Sequence, residues 1–456
     1  MPEASPGSAL HRLERAIALA NRDVEKIRHG GRISEIAPGH FRVAGLSDHL
    51  MLGERVLLES ASGPVVGEVV RIEADAATIK PYEKAQAARL GDIAWRMNRL
   101  MISPCQDWKG RIINAAAEPV DQRGPLRAGD FLFVTEGIPP AATRRRRVNV
   151  PLPTGIRVID LFTPLCAGQR VGVFAGSGIG KSTLLSMLAH SKGFDTIVVA
   201  LVGERGREVR DFVEETMKGN LERTVVVVAT GDESAMLRRQ APATAMTIAE
   251  YFRDRGESVL LIVDSITRYA HACREVALAA GEPPVARGYA PSVFGDIPKL
   301  LERAGPGERD LGAITGVFAV LVDGDDHNDP VADTVRGTLD GHIVLDRAIA
   351  EQGRYPSVNI LTSVSRLAHH VWTAEQRNLI GKLRAMVSRY EDTRDLRLLG
   401  GYQPGTDAEL DQAVTLVPRI YEALKQSPGS PMSANCFKEL AEQLAPSPAP
   451  PGTAAA

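Results

Sequence analysis

Long hydrophobic runs are missing from this sequence. No stretch approaches the roughly 18 apolar residues of a membrane span, and the N-terminus MPEASPGSALHRLERA has neither the apolar core nor the cleavage site of a secretory leader. A secreted or membrane-spanning protein is not expected. Cysteine is scarce: Cys105, Cys166, Cys273 and Cys436 stand scattered, without a C-x-x-C pair or a zinc-type His spacing. That excludes a disulfide framework and points to reduced thiols in a cytosolic protein. Neither sign of charge dominates. A formal net charge of -2 supplies no overall field for nucleic acid or anionic lipid, so either partner would need a local patch. Aromatics are few as well, and residues 32–90 hold only Phe41 and Tyr82, too few for the stacking platforms of a single-stranded RNA binder.

What is present is ordinary globular material. At 456 residues, with 44% apolar and 24% charged residues, the chain can build two or three domains with cores of their own. In residues 1–30, Leu10, Leu13, Ile17, Val24 and Ile27 fall near one helical face, among Arg12, Arg15, Arg22 and Lys26. This amphipathic helix either caps the next domain or docks a partner or an anionic membrane surface. Over residues 31–95, short β-prone runs such as RVLLES and VVGEVVRIE, separated by glycine turns, predict a small antiparallel barrel.

The period then changes. Strands RVGVFA, TIVVALV, TVVVVAT and SVLLIVD alternate with helical stretches such as KSTLLSMLAHS and AMTIAEYFRDRG, the signature of an α/β core whose mostly parallel sheet is covered by helices on both faces. This core is placed at residues 96–370. Helical patterns in QRNLIGKLRAMVSRYED and AELDQAVTLVPRIYEALKQS predict a C-terminal helical domain at 371–440, and the Pro/Ala-rich residues 441–456 read as a disordered tail.

Strand RVGVFA runs into Ala175-Gly176-Ser177-Gly178-Ile179-Gly180-Lys181-Ser182-Thr183 and on into a helix, the strand–loop–helix context of a phosphate-binding loop. Glycines let backbone N–H groups turn inward on phosphate oxygens, the helix N-terminus adds positive potential, and Lys181 reaches the β- and γ-phosphates. Ser182 is expected to hold Mg²⁺. The usual pattern opens with Gly where Ala175 stands.

Binding ATP is not hydrolysing it, which also needs a second metal-side carboxylate, a group to orient water and positive charge for the transition state. Asp264 ends the apolar run SVLLIVD and suits the Mg²⁺ shell, or else caps the following helix. Glu204, just after TIVVALV in VGERGREVR, can polarise an attacking water, or is a solvated loop charge.

Six ordered blocks, FAGSGIGKSTLL, LVGERGREVRDF, LLIVDSITRYA, ALAAGEPPVARGYAPSVF, GDDHNDPVADTVRGTLDGHIVLDR and YPSVNILTSVSRL, resemble the protein-export ATPases of type III secretion, the flagellar kind in particular. These are similar in turn to the subunits of rotary ATP synthases and, more distantly, to a transcription-termination RNA helicase. The resemblance implies a RecA-like core in a homohexamer, with nucleotide bound between neighbours. It implies that Glu204 is the catalytic glutamate, with Arg205 beside it, and that Arg366 is the finger reaching the adjacent subunit's site. Tyr355 then packs on adenine, or is a core tyrosine. Tyr289 and Phe294 carry over as residues of a loop facing the central pore. The implied partners are a stalk protein, a stator-like regulator, the export gate and substrate–chaperone complexes, with the protein peripheral at the inner face of the cytoplasmic membrane; no nucleic acid is expected. The segment DIAWRMNRLMISPCQDWKGRIINAAAEPVDQRGPL departs from the family pattern, as does the barrel.

Three features are set aside. Asp323, Asp325, Asp326 and Asp329 crowd one loop, but Asn328 and Thr334 stand where a calcium loop needs Gly and Glu. Arg144 to Arg147 read as a solvated linker face, or else a lipid or nucleic-acid patch. His369-His370 is a surface or helix-start pair. The rival readings are a virulence-type secretion ATPase, a rotary synthase catalytic subunit, a hexameric RNA translocase and a scaffold without turnover.

Overall fold

In the computed structural model, residues 28–61, 63–83, 88–216, 218–308, 311–322 and 329–445 are described, with Leu13 and Ala16 ahead of them. The helix expected at residues 1–30 and the acidic positions 323–328 therefore lie almost wholly outside the described residues, as do residues 446–456. The chain divides into two compact units, Met1–Arg99 and Leu100–Ala456.

The first unit is a closed antiparallel barrel. Its strands β1 (Gly30–Ala37), β2 (His40–Ala44), β3 (Arg55–Ser60), β4 (Gly63–Ile72), β5 (Ala76–Pro81) and β6 (Ile93–Met97) pair in the order β1-β2-β5-β4-β3-β6. Alternation of apolar and polar residues in HFRVA and RVLLES puts Val43, Val56 and Leu58 fully inside while their neighbours face outward. Closure comes from β6, which pairs with both β1 and β3 and runs through Met97, past the residue-95 boundary read from the sequence. Closing the sheet removes its edges.

The second unit is built on a nine-stranded sheet. Its path runs Val364–Ser365, Gly341–Val344, Arg170–Ala175, Ala313–Leu321, Ser258–Asp264, Thr196–Val202, Thr224–Ala229 and Ile112–Asn114, with the ninth strand, Gly305–Pro306, pairing antiparallel with Ala313–Leu321 off this path. Every pairing along this path is parallel except that of the two-residue strand Val364–Ser365. The central strands are continuous apolar runs because both faces are covered: all seven residues of TIVVALV are buried. Val198, Ala200 and Val202 point into one core, shared with the helices Ala235–Arg253, Ile266–Ala279 and Pro291–Leu301. Ile197, Val199 and Leu201 point into the other, with the helix Lys181–Ala189.

The C-terminal helices Ala374–Asp392, Ala408–Leu424 and Cys436–Leu444 join that second core through Ile380, Leu383, Val417, Ile420 and Leu440. The last of them continues past residue 440, because Cys436 and Leu440 are buried one helical turn apart. Among the described residues, no helix is long and apolar enough to cross a membrane. All four cysteines are free, and all but Cys105 are buried.

A candidate nucleotide site at the ends of parallel strands

Three features of the sequence meet at one end of the central strands. The strand Arg170–Ala175 delivers the phosphate loop, Thr196–Val202 delivers Glu204, and Ser258–Asp264 ends on Asp264. Parallel register puts Ala175 opposite Leu321 and Asp264 opposite both Leu201 and Ala319, so these groups share the carboxyl ends of the strands. That is where ligands bind in open α/β sheets.

The loop conformation depends on glycine. Gly178 (φ 77°) and Gly180 (φ 97°) are left-handed, and Gly180 caps the helix that starts at Lys181. Ala175 needs no such freedom: it closes a strand, is 1% exposed, and its carbonyl accepts from Val322 N–H at 3.0 Å. This is why a methyl group is tolerated where the usual pattern has Gly. Ser357, which nothing in the sequence singled out, pins the loop by donating its hydroxyl to the Ile179 carbonyl at 2.6 Å.

Lys181 lies between two carboxylates. Its Nζ donates to Asp264 Oδ1 and is 3.6 Å from Glu204 Oε1. Burial pulls the Lys181 ammonium down, but the charges of Asp264 and Glu204 outweigh it and hold the group above its ordinary value. Glu204 moves the other way from the usual carboxylate: burial first, then a hydrogen bond to Glu208 and the nearby Asp264 charge, push it up to about 7 against the pull of Lys181. Glu208, accepting from Glu204, is lowered. Glu204 precedes the helix Gly206–Asp211, so no helical spacing in GERGREV announces this pair.

These groups line a cleft of about 900 Å³, together with Ser177, Ser182, Thr183, Arg268, Tyr355 and Pro428. Ser182 and Thr183 are exposed to it at the first turn of the helix. Tyr355 is 43% exposed, and its ring carbons lie 3.5 Å from where a side chain on Gly180 would begin. It therefore stands beside the phosphate loop and not in a core. Among the described residues no group of three or more His, Cys, Asp or Glu could hold a metal unaided. Ser182 and Asp264 offer two hard oxygen donors, which fits Mg²⁺ because that ion typically takes one or two protein ligands and fills its shell with phosphate oxygens and water.

Of two further expected residues, Arg205 only rims the cleft and Arg366 does not join it. Arg205 points to solvent, 87% exposed, 3.9 Å from Glu208. Arg366 is exposed and hangs at the opposite end of the sheet, its N–H donating to the Asp340 carbonyl at 2.9 Å.

Other expectations need correction. Tyr289 does not face an opening: it is 4% exposed, stacked 6.1 Å from His271 and under the Arg274 guanidinium, with Phe294 half-buried beside it. Core packing of the helix Pro291–Leu301 claims both rings. Nor is the arginine run uniformly solvated. Arg145 is 16% exposed and donates to the carbonyls of Pro140 and Glu302, while Arg146 donates to that of Gly312. Asp329 caps the helix Pro330–Thr338 through the N–H groups of Val331 and Ala332. His369 and His370, by contrast, are exposed on the short helix Ala368–Val371 with rings 3.9 Å apart, the surface or helix-start pair expected of them.

Comparison with known proteins agrees with this geometry. Residues 155–365 match the nucleotide-binding domain of the ATP synthase alpha/beta family, and residues 372–444 match the T3SS EscN ATPase C-terminal domain. A flagellum-specific ATP synthase of Agrobacterium fabrum is 56% identical over 92% of this chain and 88% of its own. A type 3 secretion system ATPase of Xanthomonas euvesicatoria is 40% identical over 88% of this chain and 90% of its own. The solved structure of assembled EscN from the enteropathogenic E. coli type III secretion system superposes with a TM-score of 0.84 at 37% identity, covering 91% of this chain and 98% of that one. The chain therefore belongs to the family of flagellum-specific ATP synthases and type III secretion ATPases, and is a P-loop ATPase.

Proposed function

We propose that this protein is the ATPase of a flagellar type III export apparatus, hydrolysing ATP at the subunit interfaces of a homohexamer. Turnover would promote release, unfolding and export of flagellar proteins alongside the proton motive force. The likeness to flagellum-specific ATP synthases supports the flagellar assignment. EscN has been solved assembled and in complex with its central stalk EscO, and an analogous stalk, a stator-like regulator, the export gate and substrate–chaperone complexes are the partners proposed here. The site proposed is peripheral, at the cytoplasmic face of the membrane.

In this reading the loop Ala175–Thr183 and Lys181 bind the phosphates, drawing Lys181 away from the carboxylates that hold it in the free protein. Tyr355 packs against the adenine. Ser182 and Asp264 would hold Mg²⁺, which would supply positive charge to offset that of the phosphates. Glu204, as carboxylate, accepts a hydrogen bond from the attacking water and aligns it. A neighbouring subunit's Arg366 supplies positive charge as negative charge spreads over the γ-phosphoryl oxygens, an effect of about 10³ to 10⁵ in rate in other nucleotidases.

One observation carries the shared-site reading. Arg366 is anchored beside Arg170, at the amino end of the strand whose carboxyl end bears the phosphate loop, and five residues of strand span roughly 16 Å. Its own cleft is out of reach. The test measures phosphate release against protein concentration, with mass photometry, for the wild type, Glu204→Gln and Arg366→Ala. Specific activity that rises steeply as hexamers appear and collapses in both variants is expected. Turnover independent of concentration and surviving Arg366→Ala would overturn the proposal.

A further inference from the structure

Arg366 has little to hold it locally. The strand before it, Val364–Ser365, makes only two pairs with Gly341–Val344, and its guanidinium has one long hydrogen bond, Nη2 to the Arg336 carbonyl at 3.4 Å. What fixes its backbone is Asp340, whose carbonyl accepts the Arg366 N–H. Gln169 Nε2 adds a long bond of 3.4 Å to that carbonyl, but the Asp340 carboxylate is gripped by Arg170. Arg170 donates to its carboxylate from N–H (3.0 Å), Nε (3.1 Å) and Nη2 (3.2 Å), and Asp340 N–H donates back to the Arg170 carbonyl at 3.0 Å. The remaining Arg170 nitrogen, Nη1, lies 2.5 Å from Glu302 Oε1, just after the helix Pro291–Leu301.

A second link runs parallel to the first. Phe174, one residue before the phosphate loop, lies under the Arg336 guanidinium at 4.9 Å, and Arg336 offers the carbonyl that receives Arg366 Nη2. Both anchors of Arg366 thus lead to a single strand, Arg170–Ala175.

We propose that Arg170, acting through Asp340, is a positioning residue for Arg366, so that the strand carrying a subunit's own phosphate loop also aims the arginine it lends to its neighbour. The inference rests on the reading of Arg366 as the finger. A side chain aimed across an interface loses its effect with small errors in its base, and a misplacement of about 1 Å can cost about 10²-fold in rate. Arginine is required because a planar fork makes the paired bonds to one carboxylate while a lysine offers a single point charge.

The experiment measures kcat and KM at a concentration where wild type is hexameric, for Arg170→Lys, Asp340→Asn, Arg366→Ala and the double variant Arg170→Lys/Arg366→Ala. Thermal melting and mass photometry accompany each. Arg170→Lys is expected to lower kcat by about 10- to 100-fold with KM within about twofold of wild type, and to add nothing in the Arg366→Ala background, the mark of two residues acting as one unit. Asp340→Asn, which keeps the backbone carbonyl, should lose less but show the same dependence on Arg366. It also serves if Arg170→Lys fails to fold. Equal losses in both backgrounds, or a rise in KM alone, would overturn the positioning role. Full turnover in Arg366→Ala itself would instead sink the finger assignment, a separate failure visible in the same set.

Discussion

At the scale of single residues, the proposed chemistry turns on a carboxylate with a raised affinity for protons. Glu204 must be ionised to orient water, and in the free protein it sits at about 7 because it is buried and faces Glu208 and Asp264. The sign follows directly. Below that value Glu204 is neutral, so kcat/KM, which reports the free enzyme, should fall as pH drops through about 7. Replacing Glu208 with Ala removes a group that raises Glu204, and the acid limb should move to lower pH in a pH–rate series; an unmoved limb would show that another group sets it. Glu204→Gln should lose about 10² to 10⁴ in kcat, the usual weight of a positioned base. Lys181, Glu204 and Asp264 were all legible beforehand because each follows an apolar strand in a recognisable block. Glu208 was not marked, since nothing in the sequence tells which of many charges in ERGREVRDFVEE faces inward.

At the scale of elements, the departure at 95–125 resolves into a strand held by one buried ion pair. Ile112–Asn114 is the sheet edge next to Thr224–Ala229. Asp121 accepts from Arg111 Nε (2.7 Å) and Nη2 (3.0 Å) and from the N–H groups of Ile112 and Arg123, at 4% exposure. The Arg111 hydrogen bonds hold its carboxyl far below the ordinary range, against the opposing effect of burial. A depressed carboxylate contributes stability that is complete above its unfolded value, about 3.9, and is lost as pH falls below it. Denaturant unfolding at pH 7 and pH 3 should therefore show a steeper acid loss for wild type than for Asp121→Asn. Arg111→Met should cost about 3 to 5 kcal/mol at pH 7 by leaving a buried charge unpaired; an identical acid response in the Asp121 variant would remove the pair from the account.

At the scale of the whole molecule, the proposed role of Arg366, apart from its own cleft, would make activity a property of pairs of subunits. Inactive Glu204→Gln and Arg366→Ala chains should complement when mixed and reassembled. In a random equal mixture about a quarter of interfaces join an intact Glu204 to an intact Arg366, so phosphate release should recover to a corresponding fraction of wild type. No recovery from mixed hexamers verified by mass photometry would argue for sites complete within one chain.

What the sequence determined alone is what neighbours along the chain decide. The phosphate loop is legible because strand, glycines and helix start are consecutive, and the parallel sheet because strands buried on both faces must be apolar throughout, as TVVVVA is. The barrel follows from alternation in the same way. Tertiary structure decided whatever depends on partners far along the chain. Arg145 is tied to Glu302 and Arg170 to Asp340, links that no local pattern announces. Tyr289 has the look of an exposed loop aromatic until helix packing buries it. The burial of a charge or a ring is set by which elements converge on it, and that convergence is a sum of many weak apolar contacts over the whole fold, not a signal written at the residue itself.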